Sequence, residues 1–451
     1  MNEKEGLSRR GFLGKAAAIS AVGAVGVSAL VSSCSNKAAK KTVELNLPPL
    51  LDRAPDGPVL KAGLVGCGGR GTGAALNFIE AGPNLQVVAL GDVFEDRLQG
   101  ARKKIKKKTG QEIADEKCFV GFDAIEKVID AGVDVVILAT PPKFRPEMFE
   151  AAVKARKHVF MEKPVAVDAV GARSIMGTAK KAEALGLCVV TGTQRRHQRD
   201  YIEVYKQVAN GAIGDIVSAN CYWNGGKLWH RDPKAEWSEM EYMIRNWVNW
   251  CWLSGDHIVE QHVHNIDVIN WFTGKHPVKA VGFGSRQRRV TGDQFDNFSI
   301  DFVLDNGVHV HSMCRQVNGC KNNVSEYVRG TKGYSNCRNT IWTPDGAESY
   351  KYPYPVNANG ERARNVKISP YVQEHIDLVT AIRTGKPINE AENTAIATMV
   401  AIMGRVSAYT GKEVTYDQMM NSDMLLGPKV YALGNVDIPK DIPVAGDAYK
   451  G

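Results

Sequence analysis

Apolar positions along the chain change their period part-way through. Leu60–Val65, Leu85–Leu90, Val133–Ala139, His158–Met161 and Leu187–Thr191 are short apolar runs, the pattern of strands buried on both faces of a parallel sheet. Between them apolar residues recur at helical spacing, as in Ala74, Ala75, Leu76, Phe78 and Ile79, then Pro146 to Ala155, then Asp168 to Leu185. Such alternation implies a right-handed, doubly wound sheet with ligands at the carboxyl ends of its strands. After Thr191 the alternation stops. Ile216–Trp223 and Val278–Gln287 read as strands, and Phe298–Leu304 alternates, turns at Asp305-Asn306-Gly307 and returns as Val308–Cys314, a hairpin signal. Tyr371–Thr384 and Ala391–Thr410 read as helices, each closing near a glycine, Gly385 or Gly411.

The N-terminus fits neither pattern. Ser8-Arg9-Arg10-Gly11-Phe12-Leu13 matches the twin-arginine export pattern, and the weakly apolar stretch Ala16–Val31 is too rich in Ala, Gly and Ser for a good permanent span. Val31-Ser32-Ser33-Cys34 resembles a lipoprotein signal box, so Cys34 is expected to become an acylated N-terminus. A periplasmic, membrane-anchored protein follows from this; an uncleaved helical anchor is the competing reading. Residues 35–58 are polar and then Pro-rich, which suits a tether.

Composition narrows the field. The 451 residues are 44% hydrophobic and 24% charged, an ordinary globular balance that excludes a mainly disordered chain. The net charge of +8 is largely local. Arg102, Lys103, Lys104, Lys106, Lys107 and Lys108 close a helix, where they complement its dipole as a solvated face. No dispersed basic face suggests a nucleic-acid partner. Eight cysteines follow Cys34 without any C-x-x-C spacing. They read as buried free thiols, although Cys314 and Cys320 are close enough in sequence to pair.

Gly66-Cys67-Gly68-Gly69-Arg70-Gly71 joins the first apolar run to the first helix. G-x-G-x-x-G in that context permits a tight turn, close approach of a pyrophosphate and close packing of helix on strand. Asp92 ends the second strand, at the spacing where an acid takes the ribose hydroxyls. Its carboxylate would repel a 2′-phosphate, so NAD is favoured over NADP.

Together with Thr140-Pro141-Pro142 and Glu162-Lys163-Pro164, this motif resembles the Gfo/Idh/MocA oxidoreductases, which include glucose-fructose oxidoreductase and inositol 2-dehydrogenase. The resemblance runs from about Val59 to Thr415. It implies an α/β Rossmann domain followed by an α+β domain built on a large open, mostly antiparallel sheet. It also implies a cofactor site of Gly66, Gly68, Gly69, Arg70, Gly71, Asp92, Thr140, Pro141, Glu162 and Lys163, with Lys163 touching both nicotinamide and substrate. Many relatives carry His where Arg145 stands. The expected organisation is a signal over 1–33, a linker over 34–58, an NAD-binding domain over 59–192, a substrate domain over 193–420 and an extended tail over 421–451.

The densest chemistry lies in Asp256-His257-Ile258-Val259-Glu260-Gln261-His262-Val263-His264-Asn265-Ile266-Asp267. On one helix, His257, Glu260, His264, Asp267 and Trp271 would share a face. By the resemblance, the Asp-x-x-x-His-x-x-Asp pattern of relatives falls on Glu260, His264 and Asp267, with Glu in place of the usual Asp and His264 as general base or acid beside Lys163. Removing a hydride from a secondary alcohol needs such a base within reach of the hydroxyl. A metal site is the rival reading, because His257, Glu260, His262 and His264 are all ligand types. No single regular element aims the four at one point, so no metal is expected.

Thr193-Gln194-Arg195-Arg196-His197 follows the last parallel strand. Relatives line their substrate pocket with a similar Asn-Arg-Arg, so Gln194, Arg195, Arg196 and His197 are substrate candidates; a surface role is the alternative. Seven of the eight tryptophans fall between Trp223 and Trp271, as core or as sugar-stacking surfaces. Trp223 and Asp267 join the substrate candidates.

Three functions fit these residues. One is an oxidoreductase passing a hydride between tightly bound NAD and a sugar or polyol hydroxyl. The second is a glycosidase using NAD transiently, through oxidation, elimination, water addition and re-reduction. The third is a sugar-binding lipoprotein without catalysis. Free NAD is not expected outside the cytoplasm, so the cofactor should be loaded before export and regenerated in place. Lys163 and His264 together favour the oxidoreductase. A broad open sheet that must cover one face leads to an expected dimer or tetramer.

Overall fold

The computed structural model describes residue 45 and residues 47–446; the export signal and Cys34 lie outside the described residues. The first sheet contains β1 (Leu60–Val65), β2 (Leu85–Asp92), β3 (Cys118–Val120), β4 (Val135–Leu138), β5 (His158–Met161) and β6 (Val189–Thr191), in the order β3-β2-β1-β4-β5-β6. Every neighbouring pair is parallel. The crossover helices α1 (Gly69–Glu80), α2 (Glu95–Thr109), α3 (Ala124–Asp130), α4 (Arg145–Lys154) and α5 (Ala169–Ala184) follow β1 to β5 in turn. Burial on both faces accounts for the unbroken apolar runs: all four residues of β4 are buried, as are the last four of β1.

The second sheet has nine strands. These are β7 (Ile216–Gly225), β8 (Pro277–Ser285), β9 (Asn297–Leu304), β10 (His309–Gln316), β11 (Asn323–Gly330), β12 (Gly333–Ser335), β13 (Thr340–Trp342), β14 (Glu348–Lys351) and β15 (Val414–Thr415). Their order is β14-β13-β12-β11-β7-β10-β9-β8-β15. All pairs are antiparallel except β7 with β10. The β9–β10 hairpin turns at the expected Asp305-Asn306-Gly307, with Gly307 at φ 80°.

Two helices that the sequence marks equally well pack on different sheets. Pro370–Thr384 returns to the first sheet, where Val372, Ile376, Leu378 and Val379 share a core with Leu64, Phe78, Phe160 and Val190. Ala391–Thr410 is buried on nearly every side against α5 and the inner face of the second sheet.

Two expectations are corrected. The Pro-rich stretch is not a free tether over residues 50–58. Ala54 is buried, Arg199 donates to the Leu50 carbonyl and to Asp52, and Arg383 donates to the carbonyls of Pro55 and Pro58. An extended Pro-rich segment has no internal hydrogen bonds, so its carbonyls are open to such side chains. The His-rich segment is also two helices rather than one, His257–Glu260 and Val263–Thr273. The break at Gln261-His262 turns the His262 ring to Ser312 Oγ at 2.7 Å. Burial pushes its pKa down to about 3, so it is a neutral internal group.

Candidate active site

Adjacent strands deliver the sequence motifs to one edge. Val65 pairs with Leu138 and Gly91, Leu138 with Met161, and Met161 with Thr191. The glycine loop, Asp92, Thr140-Pro141, Glu162-Lys163 and Gln194–His197 therefore leave the sheet side by side. Gly66 sits at φ 97°, and a Cβ on Gly71 would stand 1.9 Å from the Gly66 carbonyl oxygen. Neither position accepts another residue without displacing the loop.

The loop opens onto a cavity of about 500 Å³. Gly66, Gly68, Gly69, Arg70, Gly71, Asp92, Thr140 and Pro141 line it, whereas Glu162 and Lys163 of the expected cofactor set do not. Asp92 accepts from the backbone N–H of Cys67 at 2.7 Å and of Phe94 at 2.9 Å, which aims the carboxyl group along the cleft wall. A glycine-walled cradle at a helix N-terminus with an acid beyond it fits the pyrophosphate and ribose of a dinucleotide.

Beside the cleft, the Lys163 ammonium donates to Glu260 Oε1 at 3.0 Å and to the Glu260 carbonyl. The His264 ring stacks on Trp223, with centroids 5.7 Å apart and planes at 21°. Arg195 lies 5.6 Å over the other partner of that stack, the Trp223 ring, and pairs with Glu326 at 3.2 Å. Glu326 also accepts from Tyr201 and Asn265. Burial, and then the positive charges of Lys163, Arg195 and Arg70, hold the His264 pKa well below its ordinary value. His264 is therefore a neutral imidazole at neutral pH, able to accept a proton.

Other predicted residues hold these in place. Arg70 is bound to Glu162, and its guanidinium lies 4.8 Å over the Tyr371 ring. Arg196 makes a two-pronged contact to Asp267, with 2.8 Å from Nε to Oδ2 and from Nη2 to Oδ1. That carboxylate is consumed in orienting an arginine. Gln194 keeps a buried side-chain oxygen without a partner among the described residues. Arg145 is wholly buried and donates to the carbonyls of Thr140 and Pro164, tying together the segments after β4 and β5. Burial lowers its pKa to about 10.

Residues 60–191 match the oxidoreductase family with an NAD-binding Rossmann fold, GFO_IDH_MocA, and residues 201–335 match the GFO/IDH/MocA C-terminal domain. The two matches together take in more than half of the chain. This chain belongs to the Gfo/Idh/MocA family. It is 27% identical to the myo-inositol 2-dehydrogenase of Thermotoga maritima over 226 residues, which are 50% of this chain and 58% of that relative. It is 26% identical to the 2,7-anhydro-N-acetylneuraminate hydratase of Escherichia coli over 169 residues, 37% of this chain and 41% of the relative. The chain thus spans about half the length of these curated relatives. Its fold matches scyllo-inositol dehydrogenase from Lactobacillus casei with bound NAD(H) and scyllo-inositol, with a TM-score of 0.58 and 23% identity over 80% of this chain and 99% of that one.

Within this Gfo/Idh/MocA protein, His197 departs from its expected role. It is fully buried, with Nδ1 donating to Asp377 at 2.7 Å and Nε2 lying 3.0 Å from Glu390. It belongs to the framework, because two carboxylates already claim both ring nitrogens. His257 likewise turns to Asp256, 3.0 Å away, and to the Phe298 ring. Among the described residues no group of three or more His, Cys, Asp or Glu is arranged to hold a metal ion. The eight described cysteines are free, six of them buried.

Five of the eight tryptophans divide three ways. Trp252 and Trp271 are core, Trp223 serves His264, and Trp229 and Trp247 line the nucleotide cleft. Sequence reasoning missed the last pair, along with Arg231, Arg245 and Tyr431 on the same wall. The clustering of aromatic and Arg residues after β7 was the available signal.

Proposed function

We propose that this protein oxidises a secondary hydroxyl of a polyol or sugar, with NAD in the cleft as hydride acceptor. The observation that carries this reading is the pairing of Lys163 with Glu260 near the neutral His264, whose pKa Lys163 depresses, while the adjacent Glu162 is bound to Arg70 of the glycine-loop cleft. Lys163 polarises the hydroxyl oxygen and stabilises negative charge as it develops. His264 takes the hydroxyl proton, and Glu260 holds the ammonium in position. Bound NAD supplies the hydride acceptor, so the C–H bond and the O–H bond together become a carbonyl. The inositol dehydrogenase relatives support a cyclic polyol as the substrate class.

The test is to mix NAD-loaded protein with cyclic polyols and hexoses and follow nicotinamide absorbance in a single turnover. Reduction by at least one compound is expected; none across the panel overturns the reading. The hydratase relative supports a second one, in which oxidation only prepares elimination and water addition. Release of p-nitrophenol from glycosides without accumulated NADH would favour it.

We also propose export by the twin-arginine route and a lipid on Cys34, resting on Ser8–Leu13 and Val31–Cys34 alone. Mass spectrometry of the mature N-terminus is expected to find an acylated Cys34; an intact Met1 would overturn this. A homo-oligomer is supported by the outer face of the nine-stranded sheet, where Phe283 is 71% exposed.

A further inference from the structure

In β11 the sheet period turns Glu326 and Val328 inward. Val328 joins the core, whereas Glu326 brings a carboxylate into it at 1% exposure. Register sets Glu326 against Cys221 of β7, two positions before Trp223 on the same face. Three elements meet this carboxylate. Arg195, after β6, pairs with it at 3.2 Å, the Tyr201 hydroxyl of the helix Arg199–Ala209 donates at 2.9 Å, and Asn265 Nδ2 donates at 2.6 Å. A buried ion pair stabilises little beyond well-packed apolar side chains. Core packing therefore gives no reason for an acid here.

What the pair reaches is His264, by two routes. Asn265 is the next residue on the helix Val263–Thr273, so its bond to Glu326 fixes that helix against β11. Arg195 lies 5.6 Å from the centroid of the Trp223 ring, on which the His264 ring stacks. The charges around His264 otherwise form closed pairs. Arg70 is bound to Glu162 and lies 3.6 Å from Glu374, and Lys163 is bound to Glu260. On His264's own helix, Asp267 is bound to Arg196. His262 is neutral, and burial keeps the Cys221 thiol and the Tyr201 phenol un-ionised. From the long helix Ala391–Thr410, Arg405 turns to the carbonyls of Val167 and Gly255.

We propose that Glu326 is a positioning residue for the general base: paired with Arg195, it fixes where the His264 ring stands and sets the charge that ring meets, through Trp223 and Asn265. This deepens the proposed function and takes from it only the use of His264 as base. Arg195 and Trp223 then serve the base and not the substrate. Opposite charges in one pair act on the ring in opposite directions. Arg195 depresses the His264 pKa, so removing its cation raises that pKa. Removing the Glu326 anion leaves Arg195 uncompensated and lowers it further. A pair that only filled space would admit water in either variant and raise the pKa in both.

The experiment labels the histidines of the full protein with ¹³C and follows the His264 signal by NMR as pH is lowered. Its loss in His264→Asn assigns it. In Arg195→Met the signal is expected to titrate about one pH unit above wild type. In Glu326→Gln, which keeps the shape of the side chain, it should titrate below wild type or stay neutral until the protein unfolds. Arg195→Lys retains the charge and should titrate near wild type, so the two arginine variants decide the matter even if Glu326→Gln fails to fold. A signal raised in both Arg195→Met and Glu326→Gln, or unmoved in Arg195→Met, or moved equally by Met and Lys, would overturn the proposal. Opposed shifts in a protein whose bound NAD no polyol or sugar reduces would instead remove the use of His264 as base, and leave the hold of Glu326 on its ring standing.

Discussion

Replacing Lys163 with methionine is expected to lower kcat by about 10²- to 10³-fold, the usual loss when one preorganised charge at a developing oxyanion is removed. NAD retention should hardly change, because the cleft is lined by other residues. The same variant should move the pH profile in a definite direction. After burial, Lys163 is the largest cause of the depressed His264 pKa. Without that ammonium the imidazole protonates more readily, its pKa rises, and the acid limb of kcat/KM shifts to higher pH. A merely structural lysine would not move the limb. His264→Asn should cost about 10²- to 10⁴-fold and abolish the limb. Stopped-flow reduction of bound NAD across pH reads both effects. A Lys163→Met protein with kcat within threefold of wild type would overturn the assignment.

The largest stability effect is expected at His197. Burial works against its charged form, but Glu390 and Asp377 outweigh burial and hold its pKa well above the ordinary value. The imidazolium bridges two buried carboxylates that come from different helical segments. His197→Ala leaves both acids facing each other without a cation, a loss of about 3–5 kcal/mol for a broken buried pair. The sign of the pH dependence follows from the raised folded pKa. The contribution is complete below the ordinary imidazole pKa and is lost as pH rises through the folded value. Wild-type stability should therefore decline on the alkaline side, and the variant should lack that decline. Urea unfolding at a series of pH values measures this; a loss under about 1 kcal/mol at neutral pH would contradict the bridge.

His197 also illustrates why part of the site was illegible in the sequence. It stands in a polar run directly after β6, next to two arginines that do reach the site region, and nothing local separates it from them. Asp377 and Glu390, which decide its role, lie 180 or more positions away. By contrast, Gly66, Gly71, Asp92 and Thr140 act within a few residues of a strand end. Their chemistry follows from strand, turn and helix in succession, which local periodicity reveals. The break at Gln261-His262 falls between these cases. Spacing put His257 and His264 on one helical face, but the chain breaks at Gln261-His262, so His257 turns to Asp256 and His264 to Trp223.

Local order along the chain determined the glycine cradle, the acid at Asp92, the Glu162-Lys163 pair and the change from parallel to antiparallel strands, because each depends on backbone periods and on neighbours within one turn. Tertiary structure alone decided the rest. It brought Arg245 to Asp96 and Tyr431 to Phe144 and Trp252, drew Pro370–Thr384 back to the first sheet, and gave His197 to two carboxylates. Those contacts join segments whose meeting depends on how crossovers and sheets stack, and no local period encodes that.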